Sequence, residues 1–535
     1  MTAPEPTQTE FRAEAAGLVR AASLIAAGNV VSRVLGLVRE TVIASLFGAT
    51  GLVSAFRIAQ IIPTMLYDLL IGGMVSSALV PVFSEKAERD RNELWHIASL
   101  ILSLATLVLS LVVALIELAA PQVAALMAAG FDAELLATTT TLLRLTTPAV
   151  FFLSISGILT GLLHALRRFT LPAFTATTFN AIIVMVAVAG VNLFGWGIEA
   201  LAYGLLLGAL GQVGLQLPGL RDARLRFSLD LRHPALGQIG RLTWPILLGL
   251  VSSQVAIIID RSLASTTGEQ SIAWMQFATT IIQFPLGLIS AAISLAILPT
   301  LSRLASSVSG GDGRAAREFM STLVLGLRLV LVLIIPATVA LFVLAEPVVG
   351  LLFERGEFRA FDTQQTALAL RYYLLGLTFA AIDQPLIFTY YARQNTLTPA
   401  VVGLLGVGFY LVAALLPVLF RPLQMTDLVL ANSVQLTGHA LVMLWLVHRL
   451  GSLRGHRLGI TTLKALLSAT VMGLGLWWAL LLGQQWAPGG GFASQAAYFA
   501  LLIGWGGGIY LVMAVLLRMP EVALLRQMGQ RLRPK

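Results

Sequence analysis

The sequence predicts an all-α, polytopic membrane protein with fourteen transmembrane helices, built as two six-helix lobes plus two C-terminal helices. Three observations carry that prediction. Apolar residues make up 57% of the 535-residue chain and charged residues only 11%, against about 25% charged in a soluble domain. Runs of about 20 apolar residues, long enough to cross a bilayer as helices, recur from end to end. Lysine and arginine concentrate in alternate loops, the asymmetry that sets orientation in a membrane. The absence of cysteine excludes disulfides, thiol nucleophiles and thiolate metal sites. The six histidines show no HExxH-type spacing. No metal site, catalytic residue or bound cofactor is therefore assigned.

The polar, proline-containing N-terminus is expected to be a disordered cytoplasmic tail over residues 1–15. The first span, Ser23–Ala49, is long enough to cross a bilayer yet carries Arg33, Arg39 and Glu40. A charge at mid-membrane costs roughly 2.5–3.5 kcal/mol on insertion scales. Two arginines there point either to a polar cavity that receives an anion or to an ion pair that packs helices. Arg33 and Arg39 are separated by about 9 Å along a helix and point in different directions unless Gly36 permits a kink. Later spans centre near Gly72, Leu107, Ile155, Met185, Leu206, Ser253, Ile289, Leu333, Gly376, Val407, Ser433, Met472 and Trp505.

The most basic connection, RDARLRFSLDLRHPALGQIGR, is expected to be a linker over 221–241, lying as an amphipathic segment on the cytoplasmic surface. It separates an N-terminal lobe at 16–220 from a C-terminal lobe at 242–450. About 24 basic residues fall on the side of the termini and three, Arg355, Arg359 and Arg421, on the other. Both termini are thus expected in the cytoplasm, and the net charge of +9 needs no nucleic acid to explain it.

The two halves look alike. Ala44–Gly48 follows Arg39 and Glu40, and the same AS-x-x-G pattern at Ala264–Gly268 follows Asp260 and Arg261. Pro63 leads to LVPVFS and Pro285 to ILPTLS, while HALRRFTLPA in the fourth span matches YYARQNTLTPA in the tenth. A parallel repeat of six spans implies two lobes related by an axis along the membrane normal, with a midplane site between them. The last two spans, within 451–518, fall outside the repeat, and a basic tail follows at 519–535.

SRVLGLVRETVIASLFGA, IIPTMLYDLLIGGMVSSALVPVFSE, LLHALRRFTLPAF, LLFERGEFRAFDTQQTALALRYYLLG and FTYYARQNTLTP resemble, in order, the MurJ (MviN) family. These are lipid II flippases of the multidrug/oligosaccharidyl-lipid/polysaccharide exporter superfamily. The resemblance implies a bacterial inner-membrane protein that moves an undecaprenyl-pyrophosphate-linked peptidoglycan precursor by alternating access. Its partners would be that glycolipid and membrane lipids, and it would act as a monomer. The last two helices would form a groove for the polyprenyl tail. Arg33 and Arg39 match the family's two first-helix arginines, and Glu40 replaces its usual aspartate. Ser54 stands where the family has an acid, and Tyr67 and Thr280 stand where it has arginines. Asp260 matches a seventh-helix acid that some members use for sodium. Tyr410 and Ala414 replace the eleventh-helix Asn and Asp of that set, so the sodium set is incomplete.

The candidate substrate-binding residues are Arg33, Arg39, Glu40, Arg57, Asp68 and Arg261, with Asp68 and Asp260 as counter-charges. Arginine suits pyrophosphate because its planar donor fork is permanently charged. Asp260 and Asp383 are the candidates for ion coupling, with membrane potential as the other energy source. The competing readings are a flippase for another polyprenyl-linked glycan, a cation-coupled drug exporter, a membrane-embedded glycosyltransferase and a non-transporting scaffold. A drug exporter should favour acids over arginines. A glycosyltransferase needs an acidic metal-binding cluster or a general base, whereas Glu85, Glu88, Asp90 and Glu93 are interleaved with Lys86, Arg89 and Arg91.

Overall fold

The computed structural model describes residues 8–70, 75, 78–309, 312–451, 453, 457–483 and 491–521, and every regular element among them is helical. In the first compact unit, Met1–Ala273, the chain forms α1 (Gln8–Phe47), α2 (Gly51–Asp68), α3 (Val80–Arg89), α4 (Arg91–Leu118), α5 (Ala120–Met127) and α6 (Ala133–Thr146). There follow α7 (Ala149–Ala165), α8 (Thr170–Ala173), α9 (Thr175–Phe194), α10 (Glu199–Gln216) and α11 (Pro234–Ser265). α12 (Ser271–Pro285) opens the second unit, Trp274–Lys535, which continues with α13 (Ala291–Ser309), α14 (Gly313–Val343), α15 (Ala345–Phe353) and α16 (Ala360–Ala392). α17 (Leu397–Leu415), α18 (Met425–Leu450), α19 (Leu458–Gly483) and α20 (Phe492–Leu516) complete it.

Ten helical stretches among the described residues are long and apolar enough to cross a membrane, and each contains one of the span centres read from the sequence. Val34, Ser253 and Gly376 fall instead on α1, α11 and α16, while Gly72 lies outside the described residues. Of these, α1 carries Arg33, Arg39 and Glu40 and α16 carries Arg371 and Asp383, charges that lower their fit to an apolar span.

Helix starts follow capping chemistry. The carboxylate of Asp90 accepts the amides of Asn92 and Glu93 at the start of α4, and Asp132 accepts that of Leu135 at α6, each satisfying amides that the first turn leaves without partners. α9 ends at Gly195, whose φ of 65° suits glycine. At two of the helix-interior prolines a hydroxyl takes up the carbonyl that the ladder leaves open. Pro63 in α2 offers no N–H to the Ala59 carbonyl, and Thr146 Oγ1 on α6 donates to it instead at 3.0 Å. In the second unit Pro385 does the same to the Ala381 carbonyl, which accepts from Ser290 Oγ in the π-helical segment Leu286–Ser290. A buried carbonyl without a partner is costly in hydrocarbon, and these hydroxyls meet that demand.

The connections differ in detail from the sequence reading. Residues 8–15 of the expected tail already belong to α1. The 221–233 stretch is non-helical, and its Arg226 and Ser228 amides donate to Ser99 Oγ (2.9 Å) and Ser103 Oγ (3.0 Å) on α4. Its apolar residues Leu225, Phe227, Leu229 and Leu231 are exposed at a spacing of two, the period of an extended chain. The helix begins only at Pro234, where proline is well tolerated. The start of α11 packs Ala235 and Ile239 into the apolar core with Phe83, Trp95, Ile158 and Leu162, and the whole of α11 lies in the first compact unit. Glu521, expected in the basic tail, is buried against Arg328 and Thr461; residues 522–535 lie outside the described residues.

Candidate functional site

α1 runs as continuous α-helix through Gly36, which faces Asn180 on α9. α1 lies close against α8, just ahead of α9, because Gly28 has no side chain: a Cβ there would lie 2.1 Å from the Ala173 carbonyl oxygen. That approach places Asn180 between two parts of α1. Its Nδ2 donates to the Ser32 carbonyl at 3.3 Å and its Oδ1 accepts from Arg39 Nη1 at 3.0 Å.

Glu40, the next residue, is 1% exposed. Its Oε1 accepts from Arg39 Nη2 at 2.7 Å and Nε at 3.2 Å, and its Oε2 accepts from Arg57 Nη2 on α2. Arg57 is 5% exposed, and its Nη1 donates to Gln60 at 3.2 Å. One carboxylate thus bridges two guanidiniums inside the apolar unit. Ionised groups out of water need both pairing and hydrogen bonds, and this arrangement supplies both while leaving a surplus positive charge.

α11 adds a third guanidinium. Arg261 Nε lies 3.8 Å from Asp260 Oδ2, with both side chains mostly buried, and its charge reaches Arg57. Three arginines against Glu40 and Asp260 leave one net positive charge. Such a set can hold an anion with several oxygens, because guanidinium forks pair with phosphate and cannot discharge. Arg39 and Arg261 are the members with exposed side-chain surface, 18% and 16%, whereas Arg57 is closed off at 4%.

The other sequence candidates are spread more widely. Arg33 lies on an exposed face of α1. Asp68 ends α2, exposed and about 17 Å along the helix from Arg57, so Glu40 is the counter-charge for Arg39 and Arg57 in its place. Asp383 belongs to the second unit, where its Oδ2 lies 2.8 Å from His439 Nδ1 on α18. Asn180, Gln60 and His439 are partners that sequence reasoning did not name. A polar residue inside an apolar run was the available signal for each. No group of three or more metal-ligating side chains occurs among the described residues.

A family model described as lipid II flippase MurJ matches residues 43–495. The chain is 30% identical over 481 residues to the probable lipid II flippase MurJ of Haemophilus influenzae, covering 86% of this chain and 92% of that protein. It is 32% identical over 409 residues to the corresponding protein of Vibrio cholerae, covering 73% and 75%. Among solved structures, a lipid II flippase MurJ in an inward closed conformation shares the fold with a TM-score of 0.77 at 23% identity, over 92% of this chain and 99% of that one. An inward-facing MATE multidrug transporter of the MOP superfamily shares it at 0.64 and 14% identity, over 78% and 94%.

Proposed function

The chain belongs to the lipid II flippase MurJ family, and from that premise we infer that it moves lipid II across the bacterial inner membrane for peptidoglycan synthesis. It is a multi-pass transporter, and its cargo is moved chemically unchanged. The observation that carries the site assignment is the buried Arg39–Glu40–Arg57 bridge with its surplus positive charge. In this reading the pyrophosphate of the cargo binds Arg39 first, whose side chain is exposed where that of its Glu40-bridged partner Arg57 is not. Arg57 and Arg261 set the positive potential behind it. Glu40 holds the two nearest guanidiniums in place while no anion is bound. Asn180 orients Arg39 by accepting from Nη1. Alternating access would expose this cluster to one membrane face and then the other.

The polyprenyl tail is assigned to the lipid-facing surface of α19 and α20, where Trp477, Trp478, Leu481, Leu501 and Trp505 are exposed. The basic loops put both termini in the cytoplasm, and the protein acts as a monomer. A drug exporter handling cations would find a net positive cluster repulsive, so that reading is not favoured.

Complementation tests the function. The chain is expected to rescue a strain depleted of its own lipid II flippase, and Arg39→Ala is expected to fail while still accumulating in the membrane. Full rescue by Arg39→Ala removes the cluster from the mechanism. Failure of the unmutated, membrane-inserted chain overturns lipid II as the cargo.

A further inference from the structure

We propose that Asp383 and His439 form a proton-binding site in the second unit, through which a proton gradient drives the transport cycle; the coupling role rests on the flippase reading above. Asp383 on α16 and His439 on α18 bring Oδ2 and Nδ1 to 2.8 Å, with each side chain 13% exposed. The pair lies about 14 Å from the Ala392 end of α16 and about 17 Å from the Leu450 end of α18, inside a hydrocarbon layer about 30 Å thick. Asp383 Oδ1, the neighbouring Gln384 Oε1 and His439 Nδ1 itself are buried without a hydrogen-bond partner among the described residues, so Nδ1 and Oδ2 touch without the alignment of a hydrogen bond. A membrane interior tolerates such a cluster poorly, and ionisable pairs kept there commonly form proton pathways.

The chemistry of the pair suits a proton. With one proton bound, it is neutral overall, whether written as imidazolium and carboxylate or as imidazole and carboxylic acid. Removing that proton strands a carboxylate in hydrocarbon. Adding a second makes the pair cationic. The transported proton is the first one: hydronium on one side gives it up as a new N–H or O–H bond forms, and water on the other side takes it back. An ordinary imidazole titrates at about 6.5, within reach of cellular pH.

The surroundings leave this pair as the titratable centre of its neighbourhood. On α16, Tyr391 feels the charge of Asp383. α17 packs Gly406 against the imidazole and carries the buried Tyr410. On α18, Asp427 is paired with Arg421, and His448 and Arg449 lie in the last turn. Arg328 of α14 is paired with Glu521, and Glu346 of α15 with Arg371 of α16. Arg303 of α13 is exposed, and the 286–290 segment offers only Ser290. Asp383 also sits two residues before Pro385, where the α16 ladder is already open and the Ala381 carbonyl is held by Ser290. A change in protonation therefore acts where α16 bends most easily, which links the proton to a conformational change.

The test uses the full chain in proteoliposomes with labelled lipid II, the membrane potential clamped at zero by potassium and valinomycin, and a pH difference imposed. Redistribution of lipid II is expected to respond to the direction of the pH difference. Asp383→Asn and His439→Gln should lose that response, and Asp383→Glu should keep it. Lipid II movement that ignores the gradient in the unmutated chain, or an unchanged response in Asp383→Asn, overturns the proposal. Histidine-selective NMR in detergent reads the pair without transport. The resonance missing from His439→Gln should titrate at a different pH in Asp383→Asn. An identical titration in both overturns the proton site even if lipid II moves, whereas a shifted titration in a chain that moves no lipid II refutes the flippase reading alone.

Discussion

The two compact units solve the same problem, charge inside hydrocarbon, in opposite ways. In the first, Glu40 is held between Arg39 and Arg57. In the second, Asp383 faces His439. Both sites involve a helix interrupted by proline, α2 at Pro63 and α16 at Pro385, with a hydroxyl from a neighbouring element bound to the freed carbonyl. The backbone device is shared, and the side chains diverge. Arginine stays charged at any physiological pH, so the first cluster is permanently positive and suits a cargo that is always an anion. Imidazole and carboxylate can hold one proton and remain neutral, so the second suits an exchangeable proton. In the proposed cycle, charge that cannot be discharged serves binding and charge that can be discharged serves coupling.

The largest effect should come from Glu40. Glu40→Ala strands two guanidiniums in the apolar unit and is expected to cost about 3–5 kcal/mol of stability. Asp383→Ala should cost less, about 1–3 kcal/mol, because the remaining imidazole can go neutral. Thermal unfolding in detergent measures both. Equal losses would erase the distinction between a permanent and a dischargeable site. Adding Arg57→Leu to Glu40→Ala should recover part of the loss, since a guanidinium and its counter-charge leave together.

Next in size are the two proline-freed carbonyls. Thr146→Val and Ser290→Ala each remove a hydroxyl donor from a buried acceptor, and each is expected to cost about 1–3 kcal/mol. Their functional readouts should separate. Ser290→Ala frees α16 beside Asp383 and should alter the response to a pH difference. Thr146→Val should lower stability and leave that response intact. A change in gradient response from Thr146→Val would mean that proline-opened turns act alike in both units.

Much of this contrast was legible in the sequence. Apolar runs located the helices, and the charges inside them singled out Arg39, Glu40, Arg57, Asp260, Arg261 and Asp383. Their pairing was not legible. Asn180 lies 141 positions from Arg39 and His439 lies 56 from Asp383, so only tertiary packing brings them together. Asp68 shows the opposite failure. It was read as a counter-charge for the arginines, but eleven positions of helical rise separate it from Arg57. Glu521 was hidden by composition: a basic tail reads as solvated, yet its acid folds back onto Arg328 and Thr461.

The smallest effect belongs to an ion pair exposed to water, which isolates what burial contributes to the Glu40 bridge. Arg168, just beyond α7, donates to both oxygens of Asp222 at 2.6 and 2.9 Å, a two-nitrogen contact as Arg39 makes with Glu40, though Arg39 places both on one oxygen. Hydrogen bonding from Arg168 holds the Asp222 carboxyl below its ordinary value. A carboxyl lowered by folding contributes its stability above the unfolded value of about 3.9 and loses it as pH falls through the folded value. Both side chains are 39% exposed, so water and salt screen the pair, and its worth should stay under about 1 kcal/mol. Asp222→Asn should therefore cost little at neutral pH, less still in high salt, and nothing once acid has protonated the carboxyl. Unfolding measured against pH and salt reads all three. A penalty rivalling that of Glu40→Ala would mean that geometry, and not exclusion of water, sets the strength of the arginine bridges in this protein.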